Sequence, residues 1–93
     1  MISVIESFNV VKSAVGHDEG ELYVVTRVEG KFVYLVNGKS RPLNNPKKKN
    51  IKHVKKVIVK NAKRELQKLT EYVKLENSHI IYALKQIKGE VDV

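Results

Sequence analysis

The sequence predicts a mainly β domain: a small antiparallel β-barrel over residues 1–60, followed by a helical extension over residues 61–93. Three observations carry this reading. Short β-branched runs separated by glycine turns fill the N-terminal part. From Ala62 the apolar spacing becomes helical. Strands and helices are segregated along the chain, which argues against a parallel βαβ sheet, and tight turns between short strands favour a small barrel.

Residues 8–12 (FNVVK) suit a strand. SAVGHDEGE follows, and its glycines at 16 and 20 mark a turn. LYVVTRV at 22–28 alternates, with Leu22, Val24, Thr26 and Val28 on one face and Tyr23, Val25 and Arg27 on the other. It forms a hairpin with KFVYLVN at 31–37, turning at Glu29–Gly30–Lys31. The NGK at 37–39 turns into a short strand SRPL, held to an edge by Pro42, which has no N–H to donate. NNPKKKN reads as a loop. IKHVKKVIV at 51–59 returns to β character, although Ile51, Val54 and Val57 would also mark one helical face. Ala62, Leu66, Leu69 and Val73 line one helix. Ile80, Ile81, Leu84 and Ile87 line a second, with Asn77 or Ser78 as its cap, Gly89 as its end and EVDV as a loose tail.

Composition removes several function classes. The 93 residues include no cysteine, which excludes disulfides and thiolate metal sites. The histidines, His17, His53 and His79, lack metal-ligand spacing, so no metal or other cofactor is expected. MISVIESF has neither a basic n-region nor a long apolar stretch, and no run approaches the ~18 apolar residues of a membrane span. A cytoplasmic protein is expected. The net charge is +8, and its distribution is uneven. From Gly30 to Arg64 there are twelve Lys or Arg and no Asp or Glu, whereas the remainder holds six basic and ten acidic residues. This asymmetry implies an anionic partner.

Val10 to Val25, VVKSAVGHDEGELYVV, resembles a KOW motif: an apolar strand end, a glycine turn, then a second strand that begins at Gly20. NGKSRPLNNPKKKNIKHV (37–54) is similar to the segment that follows in small bacterial KOW-domain RNA-binding proteins, and in the KOW-containing large-subunit ribosomal proteins of archaea and eukaryotes. The matching parts are Gly38-Lys39, Arg41-Pro42-Leu43, Pro46 to Lys49, and His53. LENSHIIYALKQI (75–87) loosely resembles the family's C-terminal segment. The chain departs from the pattern at Phe8, where a small residue is expected, and in a longer, more helical 55–74. The resemblance implies an SH3-like barrel, binding to RNA, and rRNA or a ribosomal particle as the destination.

Lys47, Lys48, Lys49, Lys52, Lys55 and Lys56 place six ammonium groups within ten residues. Lysine is a flexible point charge suited to phosphates rather than base edges, and each phosphate it neutralises releases a condensed counterion. The plain alternative is a solvated loop. Lys39, Ser40 and Arg41 flank the NGK turn, where Arg41 could fork onto phosphate or stack on a base, or simply sit on an exposed edge. Lys12 and Ser13 precede the glycine turn and offer an ammonium and a hydroxyl. His53, among lysines, could stack on a base or be an ordinary surface histidine. Gly16, Asp18 and Gly20 are read as turn residues. An Asx-turn or a bond from a nearby backbone N–H suits Asp18 better than acid–base catalysis. Tyr23, Phe32, Tyr34, Tyr72 and Tyr82 are read as packing groups before base-stacking platforms. There is no Walker loop, no GxGxxG and no catalytic constellation, so an enzyme is not expected.

The function these residues predict is RNA binding, through shape and phosphate contacts, by a chain monomeric in isolation. The rival is a KOW or SH3-like protein-interaction module of a transcription or translation factor, in which the lysines meet an acidic protein surface. A DNA-binding or membrane-surface role is a further alternative. The membrane reading needs a basic amphipathic helix with a large apolar face, and the apolar faces here are better explained by docking on the barrel.

Overall fold

The computed structural model describes residues 4–91. Strands β1 (Val10–Ser13), β2 (Leu22–Glu29), β3 (Phe32–Val36), β4 (Lys47–Asn50) and β5 (Val54–Lys56) precede helices α1 (Lys60–Glu71) and α2 (Asn77–Val91). A 3₁₀ turn, Ile51–His53, joins β4 to β5. The strands form one antiparallel sheet in the order β4-β3-β2-β1-β5.

That connection forces the sheet to curl. Five strands laid flat would set the edge strands about 19 Å apart. The four residue steps from Asn50 to Val54 reach at most about 14 Å, and a 3₁₀ turn shortens them further. The edges therefore bend toward each other, but no ladder joins β4 to β5 among the described residues, so the expected barrel is a curled, unclosed sheet.

The curl explains the continuous apolar runs in the strands, because both faces are covered. The concave face holds Val11, Tyr23, Val25, Val33, Leu35 and Val54. On the other face Val10, Val24 and Val36 meet the helices through Ala62, Leu69, Ile80, Ala83, Leu84 and Ile87. The Ile80–Ile87 stripe docks on the sheet, whereas Ala62 and Leu69 of α1 pack chiefly against α2; Val73, expected in the α1 stripe, lies beyond the end of that helix and is fully exposed.

Several elements differ from the sequence reading, each for a local reason. The β2–β3 register shifts between Val25 and Arg27, and Thr26 Oγ1 donates to the Tyr34 carbonyl (3.3 Å). Beyond this bulge the alternation inverts, so Val28 packs with Val25 on the concave face instead of with Val24. SRPL is not a strand. Asn37 and Gly38 N–H groups donate to the Arg41 carbonyl, Arg41 N–H donates to Asn37 Oδ1 and Leu43 N–H to Asn77 Oδ1, so the N–H groups of Arg41 and Leu43 and the Arg41 carbonyl are taken by turn and helix contacts rather than a ladder. Conversely, the KKKN end of the expected NNPKKKN loop is strand β4, paired with β3 from Leu35↔Lys47 to Phe32↔Asn50. Only Val54–Lys56 of 51–59 is strand. Helix α2 does not end at Gly89. It runs on through Glu90 and Val91 of the expected loose tail, and Asp92 and Val93 lie outside the described residues. Asn77 does not cap that helix through a described bond; its Oδ1 accepts from the Leu43 N–H (2.8 Å).

Phe8 has φ 69°, the one non-glycine residue with positive φ among those described. Its N–H donates to the Val25 carbonyl and its ring packs against the helix-side core. The aromatic at this unexpected place is thus held in a conformation that costs about 1–3 kcal/mol.

Candidate nucleic-acid interface

The glycine turn between β1 and β2 is built by its backbone. Gly20 N–H donates to the Ser13 carbonyl and Ser13 N–H to the Glu21 carbonyl, both 2.9 Å. Gly20 has φ 92° and Gly16 φ 93°, as the turn reading requires. Asp18 is different. Its carboxylate forms no Asx-turn and is instead the centre of an ion-pair network. Oδ1 accepts from Ser13 Oγ (2.9 Å) and Lys49 Nζ (2.7 Å); Oδ2 accepts from Tyr23 OH (2.8 Å) and Lys47 Nζ (2.8 Å). Lys49 Nζ also donates to Ser13 Oγ (2.7 Å) and the Val15 carbonyl (3.0 Å). Burial alone would push the Asp18 carboxyl up. The Lys47 and Lys49 ammoniums, with the Tyr23 and Ser13 hydroxyls, outweigh it and hold Asp18 well below the usual carboxylate range. Tyr23 is pushed well above its usual range, first by burial and then by Asp18.

This network divides the lysine run. β4 alternates, so Lys47 and Lys49 turn inward over the β1–β2 turn while Lys48 points out. The Lys49 side chain is 8% exposed and Ser13 is 1% exposed, so neither has the open surface that a phosphate contact requires. Both were expected to face RNA, and both instead tie β4 to the turn between β1 and β2. Lys47 retains partial exposure, at 30%, but is committed to Asp18.

The other cations remain outside. Lys48 is exposed, with its ammonium 4.4 Å from the Phe32 ring centroid. Lys52, His53 and Lys55 are exposed around the 3₁₀ turn, and Lys56 is half-buried on β5. In the β1–β5 ladder Lys12 stands directly opposite Lys55, and Lys56 opposite Val11. Like charges directly opposite across a ladder are destabilising. Neither member of the Lys12–Lys55 pair has an ion-pair partner among the described residues. Tertiary structure has therefore brought together two lysines far apart in sequence, in a place that serves fold stability poorly.

The loop after β3 is a closed polar turn. Asn37 Oδ1 accepts from the Lys39 and Arg41 N–H groups (3.0 and 2.9 Å), and Asn37 Nδ2 donates to Ser40 Oγ (3.0 Å). Gly38 (φ 81°) makes the turn possible against α2. A Cβ there would lie 2.6 Å from the Asn77 carbonyl and 2.7 Å from Ile81 Cγ1. Lys39 is exposed at the tip, and the Arg41 charge is felt at Tyr23.

Between this loop, β1, β2 and α2 lies a groove of about 400 Å³. Lys12 and Lys39 line it together with Lys85 and Lys88, two residues that the charge window excluded. Their spacing was the available signal: Ile81, Lys85 and Lys88 fall at i, i+4 and i+7 of one helix stripe. Among the described residues no group of three or more His, Cys, Asp or Glu could hold a metal, and no helix is long and apolar enough to cross a membrane.

Protein-family models give no match to this chain, and no curated protein matches it significantly. The KOW resemblance rests on residues 10–25 and 37–54 of the sequence itself.

Proposed function

We propose that this chain is a cytoplasmic KOW-type RNA-binding protein that contacts structured RNA, namely rRNA in ribosomal particles, through its phosphate backbone. On this reading the curled sheet is an SH3-like barrel. The observation that carries the proposal is the cationic surface running from Lys48 through Lys52 and Lys55 to Lys12, unneutralised among the described residues and ending in the like-charge Lys12–Lys55 pair. Such a surface is stabilised by a polyanion, whose displaced counterions supply the affinity. The KOW-like turn and the Pro46–Lys49 and His53 matches supply the choice of RNA.

The test is the salt dependence of binding to an rRNA fragment, read by fluorescence anisotropy. The variant neutralises Lys48, Lys52 and Lys55 to Gln and spares Lys47 and Lys49, whose loss would disturb the fold. The slope of log K against log salt should flatten by roughly 2–3 units, about 0.7–0.9 for each phosphate that is no longer neutralised. Affinity should fall by the same factor for unrelated sequences. Lys74→Gln, in the connection between the helices, should leave the slope unchanged. A triple variant with the wild-type slope would refute the assignment of this surface.

A further inference from the structure

The groove between the sheet and α2 has a composition that a phosphate contact alone does not explain. Four lysines, Lys12, Lys39, Lys85 and Lys88, surround an apolar floor that includes Leu22 and Leu84, and the lining has one carboxylate, Glu21. Its volume, about 400 Å³, falls in the range of small-molecule sites, roughly 300–1,000 Å³. Lys12 belongs both to this groove and to the Lys12–Lys55 pair, so the groove continues the exposed cationic surface.

Building on the RNA-binding reading, we infer that this groove receives one unpaired nucleotide of the bound RNA, its base over the Leu22 and Leu84 floor and its flanking phosphates on the four lysines. A base has an apolar face that side chains such as these cover, and the phosphates on either side of it match ammonium groups around the rim. Glu21 disfavours a bare anion, but a base edge carries amino or imino N–H groups from which a carboxylate accepts. The occupant is therefore a nucleotide within a strand rather than inorganic phosphate. Contact here adds recognition of an unpaired base to the sequence-blind contacts of the β4–β5 edge.

The experiment uses the full chain and a short RNA carrying 4-thiouridine in a single-stranded loop. Photo-crosslinks should map by mass spectrometry to the α2 segment 81–88. Lys85→Gln/Lys88→Gln should flatten the salt slope by about 1.4–1.8 units and weaken binding roughly 25–60-fold at 0.1 M salt. Both lysines are exposed, so the denaturant midpoint should stay unchanged. Pyrophosphate at equal phosphate concentration should compete poorly. Wild-type affinity in the double variant, or crosslinks confined to 47–56, would overturn the groove assignment while the RNA reading stood. Competition by pyrophosphate as effective as by the oligonucleotide would reduce the groove to an anion site. No RNA binding by the wild-type chain would overturn both readings.

Discussion

Asp18→Asn isolates the ion-pair network that joins the glycine turn to β4. The substitution keeps the shape of the side chain and one acceptor for Tyr23 or Ser13, and removes the charge that neutralises two ammonium groups. Lys47, with 30% of its side chain exposed, recovers hydration. Lys49, with 8% exposed, does not, and keeps only the Ser13 hydroxyl and Val15 carbonyl as partners. Breaking a buried pair by removing one partner costs about 3–5 kcal/mol. The two remaining Lys49 acceptors place this case near the lower end, about 3 kcal/mol. A domain of this size has a total stability of roughly 5–14 kcal/mol. The midpoint of thermal unfolding should therefore fall by about 12–24 °C. Urea denaturation followed by far-UV circular dichroism measures the loss directly, with an unchanged m-value. Lys49→Met added to Asp18→Asn should recover part of the stability, because it removes the stranded charge and leaves an apolar side chain of similar length. A loss below about 1 kcal/mol for Asp18→Asn, or a double variant less stable than the single one, would refute the reasoning.

Acid should act on the same network. The folded-state pKa of Asp18 is depressed, so its stabilisation is fully present above the unfolded value near 3.9 and is lost as pH falls below it through the folded value. The urea midpoint should fall more steeply below about pH 4 in wild type than in Asp18→Asn. Gly38→Ala combines positive φ with Cβ overlaps against α2, so it should cost more than about 3 kcal/mol or displace the helix, visible in a denaturant melt. Gly20→Val meets no atom within 4 Å and should cost only the backbone strain, about 1–3 kcal/mol, in the same measurement. Gradient sedimentation at low salt should find the protein with ribosomal particles, and high salt should release it. Protein at the top of a low-salt gradient with intact ribosomes would contradict the destination.

Local chemistry was legible in the sequence. The glycine turn at 16–20, the hairpin through Gly30, the two helical stripes and the acid-free window all depend on residues within a few positions of each other. Side-chain period and φ preference act over that range. Only the tertiary structure decided what depends on the sheet's curl. The short connection from Asn50 to Val54 bends β4 over the β1–β2 turn, so that Lys49, 31 positions from Asp18, becomes its buried partner and ceases to be a surface cation. The same fold sets Lys12 opposite Lys55 and brings Lys85 and Lys88 beside Lys12 and Lys39. Charge counted along the chain weights every lysine equally, whereas burial and pairing depend on which distant residue each one meets, and that is set by strand order and register.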